Sequence, residues 1–359
     1  MNTTFTRRHL LKLLSAGGFG AGIGIRAFSA EAETGAMPIA QPARSTPRII
    51  LDTDMLTDCD DAGALAVLHA LADNGEASIL GVVLNGKDSH GKHGAVVSAI
   101  NHHYGRASIP IGVCRRPADQ SPRKASSYSR AVFAEFPHDG LSDEQRPDAV
   151  TVYRRLLAAA PDRSVTIAGI GFLTNLDSLL RSTGDEFDAR DGKALVRAKV
   201  KVLSVMGGEY PSGAEHNLNH PGAVEATRFV CEFWPDDVVP MVFSGFELGS
   251  RIITGKAYQQ APPSPMRRCY ELAYDSLRKG RPSWDQTTVL HAVRGWKHNG
   301  ATYWTESAAG SNQIDARGGN VWVSSPVRRQ SYLKLALDDA AMAALIEGLM
   351  TAEPKTVRR

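Results

Sequence analysis

With 359 residues, 43% of them hydrophobic and 22% charged, the chain has the balance of a globular protein of one large domain or two ordinary ones. The formal net charge of +3 and the scattered basic residues exclude an electrostatic footprint for nucleic acid. The Arg115-Arg116 pair and the Arg123-Lys124 stretch read as surface features.

The first thirty residues stand apart. Thr6-Arg7-Arg8-His9-Leu10-Leu11-Lys12 precedes a moderately apolar stretch that ends at Phe28-Ser29-Ala30, a small-residue cleavage site. Twin arginines in that setting predict a twin-arginine export signal over residues 1–30, and with it a periplasmic or other extracytoplasmic destination. Gly17, Gly18, Gly20, Gly22, Gly24 and Arg26 interrupt the apolar run, so no permanent membrane span is expected; a retained anchor is the alternative reading. Residues 31–46, rich in Ala and Pro, read as a linker. Cys59, Cys114, Cys231 and Cys269 match no metal spacing, and a chain folded before export is not expected to depend on disulfides.

From there, apolar runs alternate with helical periodicity. The Ile49-Ile50-Leu51 run predicts a first strand, and Ala64, Leu65, Val67, Leu68 and Leu71 mark the following helix. Strands are expected at 78–84, 109–113, 165–168, 200–205 and 238–243, and helices at 95–104, 149–160, 173–180 and 222–233. Residues 116–147 read as a long loop or lid. Helices follow over 266–277 and 286–293, two short β pieces near Tyr303 and Val321, and a closing helix over 338–350. This order predicts an α/β fold: a mostly parallel open sheet flanked by helices, Rossmann-like in layout, in a single domain over 47–352 with a tail at 353–359. Ligands of such sheets bind beyond the carboxyl ends of the strands. Asn85, the Gly169-Ile170-Gly171 turn and Gly207-Gly208 all fall at such ends.

The most informative stretch is Asp52-Thr53-Asp54-Met55-Leu56-Thr57-Asp58-Cys59-Asp60-Asp61-Ala62, five aspartates within ten positions after a wholly apolar strand. Carboxylates this close repel one another and must take up protons or a counter-ion. A hard divalent cation, Ca²⁺ or Mg²⁺ rather than zinc, satisfies them with oxygen ligands. The alternative is a solvated turn with a capping aspartate. An EF-hand fails because its glycine and glutamate positions hold Thr57 and Gly63, or Cys59 and Leu65. An aspartate-nucleophile phosphatase wants Thr where Leu56 stands. A dinucleotide site lacks its glycines, and five aspartates would repel a pyrophosphate.

Several separated motifs, in one order over about 240 residues, carry a resemblance. Asp52-Thr53-Asp54 with Asp60-Asp61-Ala62, Asn85 after the second strand, Gly171-Phe172-Leu173-Thr174-Asn175, Met206-Gly207-Gly208, Glu215-His216-Asn217 before Pro221-Gly222-Ala223, and Trp284-Asp285 together resemble the inosine–uridine preferring nucleoside hydrolase family. The resemblance implies calcium-dependent cleavage of the N-glycosidic bond of a small-molecule ribonucleoside, and homo-oligomers are common in such a family. It implies Asp54, Asp61, Asp285 and the Ile170 carbonyl as Ca²⁺ ligands and Asp60 as the base that takes the proton of the attacking water. Asn85, Glu215 and Asn217 would hold the sugar, and Trp284 would stack on the base. Asp52 would brace the loop.

Three departures stand out. Met55-Leu56 replaces Pro-Gly, and two residues are added, among them Asp58, either a support behind the metal ligands or a competing base. The family's histidine beside the late aspartate is Trp284, which cannot act as a general acid. The segment between Gly208 and Glu215 is short, and the acidic residue before the helix proline is His220. His216, His220, Tyr274 and Arg278 are the candidates for handling the leaving group. The rival readings are a riboside-binding protein of the same fold without turnover and a hydrolase of a different glycoside or a phosphoester.

Overall fold

A computed structural model describes residues 46–56, 58–86, 88–115 and 126–355. The expected export signal, nearly all of the linker, Thr57 and residues 116–125 of the expected lid lie outside the described residues. No helix among the described residues is long and apolar enough to cross a membrane.

The chain opens with β1 (Arg48–Thr53), α1 (Asp60–Asp73), β2 (Ser78–Leu84), α2 (His93–His103) and β3 (Ile111–Val113). Two helices, α3 (Ser129–Glu135) and α4 (Ala149–Ala159), lead to β4 (Val165–Gly169), α5 (Thr174–Arg181), α6 (Gly192–Lys199) and β5 (Val200–Met206). Next come β6 (Ser212–Gly213), α7 (His216–Asn219), α8 (Val224–Phe233), β7 (Met241–Ser244), α9 (Phe246–Gly249) and β8 (Ile253–Thr254). The last third holds α10 (Pro265–Leu272), α11 (Ser276–Lys279), β9 (Arg281–Pro282) and α12 (Trp284–Arg294). It ends with β10 (Lys297–His298), β11 (Ala301–Thr302), β12 (Trp304–Glu306), β13 (Gly310–Ile314), β14 (Asn320–Ser324), β15 (Gln330–Leu335) and α13 (Asp339–Met350).

The main sheet runs β3-β2-β1-β4-β5-β7-β15-β13-β14-β6, parallel from β3 to β15 and antiparallel beyond. Successive residues of its strands face opposite layers, as a pleat requires. Ile49 and Leu51 join a core with α1, α2, α10, α12 and α13, whereas Ile50 joins one with α4, α5, α6 and α8. Covering on both faces explains why these strands read as unbroken apolar runs. From β1 the chain passes to β2 and β3 on one side, then to β4 and β5 on the other. The crevice at the β1/β4 carboxyl ends is therefore the switch point where such sheets bind ligands.

Four expectations need revision. Helix α6 was not anticipated; it is short and starts at Asp191, whose side chain accepts from Ala194 N. The helix expected over 266–277 breaks after Leu272, because Tyr274 and Asp275 adopt φ of 51° and 59°. Within the expected long loop, the described residues hold α3 and a short 3₁₀ turn over Asp143–Gln145. Finally, β15 is a parallel neighbour of β7, with Gln330, Ser331 and Tyr332 opposite Met241, Val242 and Phe243. Its polar start conceals it in sequence; inside, the Gln330 amide donates to Asp236 Oδ2 at 2.9 Å and Cys231 O at 2.8 Å.

Candidate active site

Asp60 and Asp61 open α1 and Asp285 lies in the first turn of α12, so three carboxylates stand at two helix N-termini, the ends that favour negative charge. All three are buried, at 4%, 3% and 4% exposure, and one oxygen from each lies within 4.8 Å of the others. Desolvation, and then the neighbouring carboxylates, push each of the three well above the usual carboxylate range. The Thr53 hydroxyl donates to Asp61 and accepts from Met55 N at 3.1 Å, fixing the loop against β1. An all-oxygen donor set this crowded fits a hard divalent cation, with Ile170 also on the cavity wall.

Asp54 lies beside the triad, less buried than its neighbours. Gly171 makes room for it: a Cβ there would fall 2.8 Å from Asp54 Oδ1 and 2.7 Å from both Asp54 N and Asn85 Oδ1. One oxygen each from Asp60, Asp61 and Asp285 can thus converge, and Asp54, which the resemblance implies as a ligand together with Asp61 and Asp285, is the carboxylate whose charge acts most strongly on Asp61.

Beneath the floor, Asp52 is fully buried and accepts from Asn85 Nδ2 at 2.8 Å, Asn175 Nδ2 at 2.9 Å and Tyr153 OH at 2.8 Å. Asn85 is fully buried too; its Oδ1 accepts from Phe172 N at 3.0 Å, and it lies behind the cavity wall.

The cavity above the triad has a volume of about 440 Å³. On one side stand Glu215 and Asn217. The Glu215 carboxylate caps α7, accepting from Asn217 N at 2.7 Å, Leu218 N at 3.3 Å and Gly208 N at 3.0 Å. Burial pushes its carboxyl up to about 7 against those three donors. Asn217 Nδ2 rests on Met206 Sδ at 3.2 Å.

Another stretch of the wall is aromatic, and it adjoins the Glu215 corner, since Phe246 N donates to Gly208 O at 2.8 Å. Trp284 stacks on Phe246, with ring centroids 5.3 Å apart at 25°, and its Nε1 donates to Phe246 O at 3.0 Å. Tyr274 stands at the mouth, 57% exposed. Between these rings lies Arg281, its guanidinium 4.4 Å from the Tyr274 ring and 5.2 Å from that of Trp284. Arg281 Nε donates to Asp58 Oδ1 at 2.8 Å and Nη2 to Asp58 Oδ2. Among the described wall residues Arg281 is the only arginine or lysine. Sequence reasoning missed it; the one available signal was the extra Asp58, which wants a counter-charge.

The remaining candidates separate. His216 reaches the wall, exposed. His220 does not; it lies against Phe172, centroids 4.8 Å apart, and accepts from Gly222 N at 3.3 Å. Arg278 pairs with Asp275 on the surface, outside the wall. All four cysteines are free thiols, and Cys59, Cys231 and Cys269 are buried.

A mostly parallel open sheet whose switch point holds a buried carboxylate triad under a cavity of small-molecule size is the layout of an α/β enzyme, and the triad could hold a cation. The chain belongs to the inosine-uridine preferring nucleoside hydrolase family, whose model matches residues 49–325, and is accordingly an N-glycosyl hydrolase by family. It is similar in fold to the plant nucleoside hydrolase PpNRh1 (17% identity, 86% of this chain and 99% of that one, TM-score 0.63). A purine-preferring ribonucleoside hydrolase from Gardnerella vaginalis is also similar (16%, 85% and 99%, TM-score 0.61). So is the type III effector XopQ, solved in complex with adenosine diphosphate ribose (14%, 86% and 94%, TM-score 0.60). No curated protein sequence matches the chain.

Proposed function

We propose that this protein is a Ca²⁺-dependent hydrolase that splits ribonucleosides or close N-ribosides into ribose and free base. The twin arginines of the leader further support export by the twin-arginine pathway to the periplasm, with 47–352 as the catalytic unit. One observation carries the reading: three buried, mutually repelling carboxylates lie on the wall of a cavity that also holds the polar side chains of Glu215 and Asn217 and the rings of Phe246, Tyr274 and Trp284.

Asp60, Asp61, Asp285 and the Ile170 carbonyl would hold the ion. When bound, Ca²⁺ supplies a charge that acidifies water and orients vicinal hydroxyls. The protein residues do the rest. Glu215 and Asn217 grip the ribose from the side, and Asn85 supports the floor from behind. The carboxylates favour the positive charge that develops on the ribosyl ring as its bond to the base lengthens. With Asp60 drawn into the triad, Asp54 is the carboxylate best placed to accept the proton of the attacking water. The sequence pattern pointed to Asp60 for that step, and Asp58, turned towards Arg281, is not placed for it.

Incubation with a nucleoside panel in Ca²⁺, with detection of free base and ribose, tests the proposal; chelation should abolish release. Asp54→Asn should retain ion binding and lose about 10²-fold or more in kcat, as for removal of a general base, whereas Asp60→Asn should weaken ion binding. The opposite pattern would return the base role to Asp60. The second reading, a riboside-binding protein without turnover, draws on Trp284 standing where the family has histidine and on the likeness to an effector solved with a riboside ligand. Saturable binding without release of base would establish it.

A further inference from the structure

Cleaving a C1′–N bond moves the bonding electron pair onto the nitrogen of the base, and the site must meet that charge with a proton or with fixed donors. The residues around the aromatic wall narrow the choice. Trp284 has no transferable proton, and its Nε1–H is already committed to Phe246 O. Arg281 is different. A guanidinium offers five N–H donors, and Asp58 accepts from Nε and Nη2 only. No other acceptor among the described residues takes the rest, and the side chain is 22% exposed on the cavity wall. Tyr274 and Trp284 flank the guanidinium at 4.4 Å and 5.2 Å, two cavity-wall rings on which a nucleobase could stack. The chain accepts positive φ at Tyr274 and at Asp275 to put that ring there, a backbone cost that concentrates at functional sites.

We propose, resting on the nucleoside-hydrolase reading, that Arg281 is a catalytic residue that stabilises the departing base as an anion by hydrogen bonding, and that Asp58 is the positioning residue that aims it. In this step water oxygen forms the new bond to C1′ while a carboxylate of the floor takes its proton. The C1′–N bond breaks with its electron pair going to the base. That base leaves as an anion, accepts hydrogen bonds from Arg281, and takes its proton from solvent afterwards. No acid in the protein need lose a proton, so the inserted Asp58 and the histidine-to-tryptophan change belong to one device. The favoured substrates are ribosides whose bases carry negative charge well and present a carbonyl oxygen or ring nitrogen to the guanidinium.

The test compares wild type, Arg281→Ala and Arg281→Lys on a nucleoside with an oxo-base and on 4-nitrophenyl riboside, whose leaving group needs no stabilisation. Arg281→Ala should lose about 10² to 10³ in kcat on the nucleoside, the usual effect of removing one preorganised donor. The loss on the aryl riboside should be at least tenfold smaller, and Arg281→Lys should fall between. Asp58→Ala should show the same substrate-selective loss and add no further selectivity between the two substrates in an Arg281→Ala background, because the other donor to Asp58, Cys59 N at 2.7 Å, lies off the cavity wall. Nucleoside turnover should also show no descending limb between about pH 7 and about pH 8.5, because an arginine stays charged there. Equal losses on both substrates, or a descending limb removed by His216→Ala, would overturn the role of Arg281 alone. A wild-type protein that cleaves neither riboside would overturn it together with the functional reading; the aryl riboside also reports whether each variant keeps a folded site.

Discussion

The carboxylate of Asp52 accepts three side-chain donors, from Asn85, Asn175 and Tyr153, that come from three separate stretches of the chain. It thereby ties the end of β1 to the end of β2 and to helices α4 and α5 beneath the cavity. Removing one donor leaves a buried charged acceptor short of a partner, so Tyr153→Phe should destabilise the fold by about 2 kcal/mol, read from urea unfolding. A change below about 0.5 kcal/mol would show that Tyr153 does not brace Asp52. The triad obeys different arithmetic. Asp61→Ala or Asp285→Ala removes a ligand and also relieves repulsion, so each should abolish Ca²⁺ binding in calorimetry and base release together while leaving the metal-free protein as stable or more so. Full ion stoichiometry in both variants would mean that the ion sits elsewhere.

Two helices must meet closely for those residues to converge, and Gly63 permits it. A Cβ on Gly63 would stand 2.5 Å from Gln286 Nε2 on α12 and 2.6 Å from Tyr270 OH on α10. Gly63→Ala should cost about 1–3 kcal/mol of stability through overpacking. By moving Asp285 away from Asp60 and Asp61 it should also weaken Ca²⁺ binding about 10-fold or more, an effect of the size seen for mutations behind metal ligands. Unchanged affinity in a destabilised variant would show that the loops, rather than the α1–α12 contact, set the triad. Elements of this central kind were readable in advance: β2 runs over the residues that its apolar run indicates, and α4 and α12 come within one or two residues. Elements with weak periodicity were not. The α10–α11 break depends on backbone angles at Tyr274 and Asp275 that no residue preference there announces, and β15 is recognised only once Asp236 satisfies Gln330.

For the molecule as a whole, the buried titratable groups pull stability in opposite directions with pH. The metal-free triad holds protons that the unfolded chain releases above about pH 4, so its contribution to stability falls as the pH rises through that window. Ca²⁺ displaces those protons. The rise in Tm on adding Ca²⁺ should therefore be larger at pH 8 than at pH 5 and be accompanied by proton release; equal rises would mean that the carboxylates are already ionised without the ion. His69 and His291 act the other way. Burial lowers them to about 3 and about 4, so the folded chain stays neutral where the unfolded chain takes up protons. The Ca²⁺-loaded protein should thus lose stability as the pH falls from about 6.5 towards 4, with His69→Gln flattening that slope in thermal unfolding.

The residues themselves carry the alternating strands and helices, the acidic run after β1 and the order of motifs, because each of these is written in contiguous stretches whose period or charge is local. That is enough to reach the mostly parallel sheet, its switch point and a carboxylate cluster there that could hold a cation. Which carboxylates converge, which amides turn inward as supports, and which cation Asp58 pairs with are decided only by folding. Asn85 lies behind the wall because Asp52 and Phe172 N use both ends of its amide. Asp58 meets Arg281 across 223 residues of sequence, and only the break after α10 and the close seating of α12 on α1 bring that guanidinium between Tyr274 and Trp284. Local pattern fixes what a segment becomes. Partners that lie far apart in sequence are chosen by packing, where burial makes an unmatched charge too costly to leave.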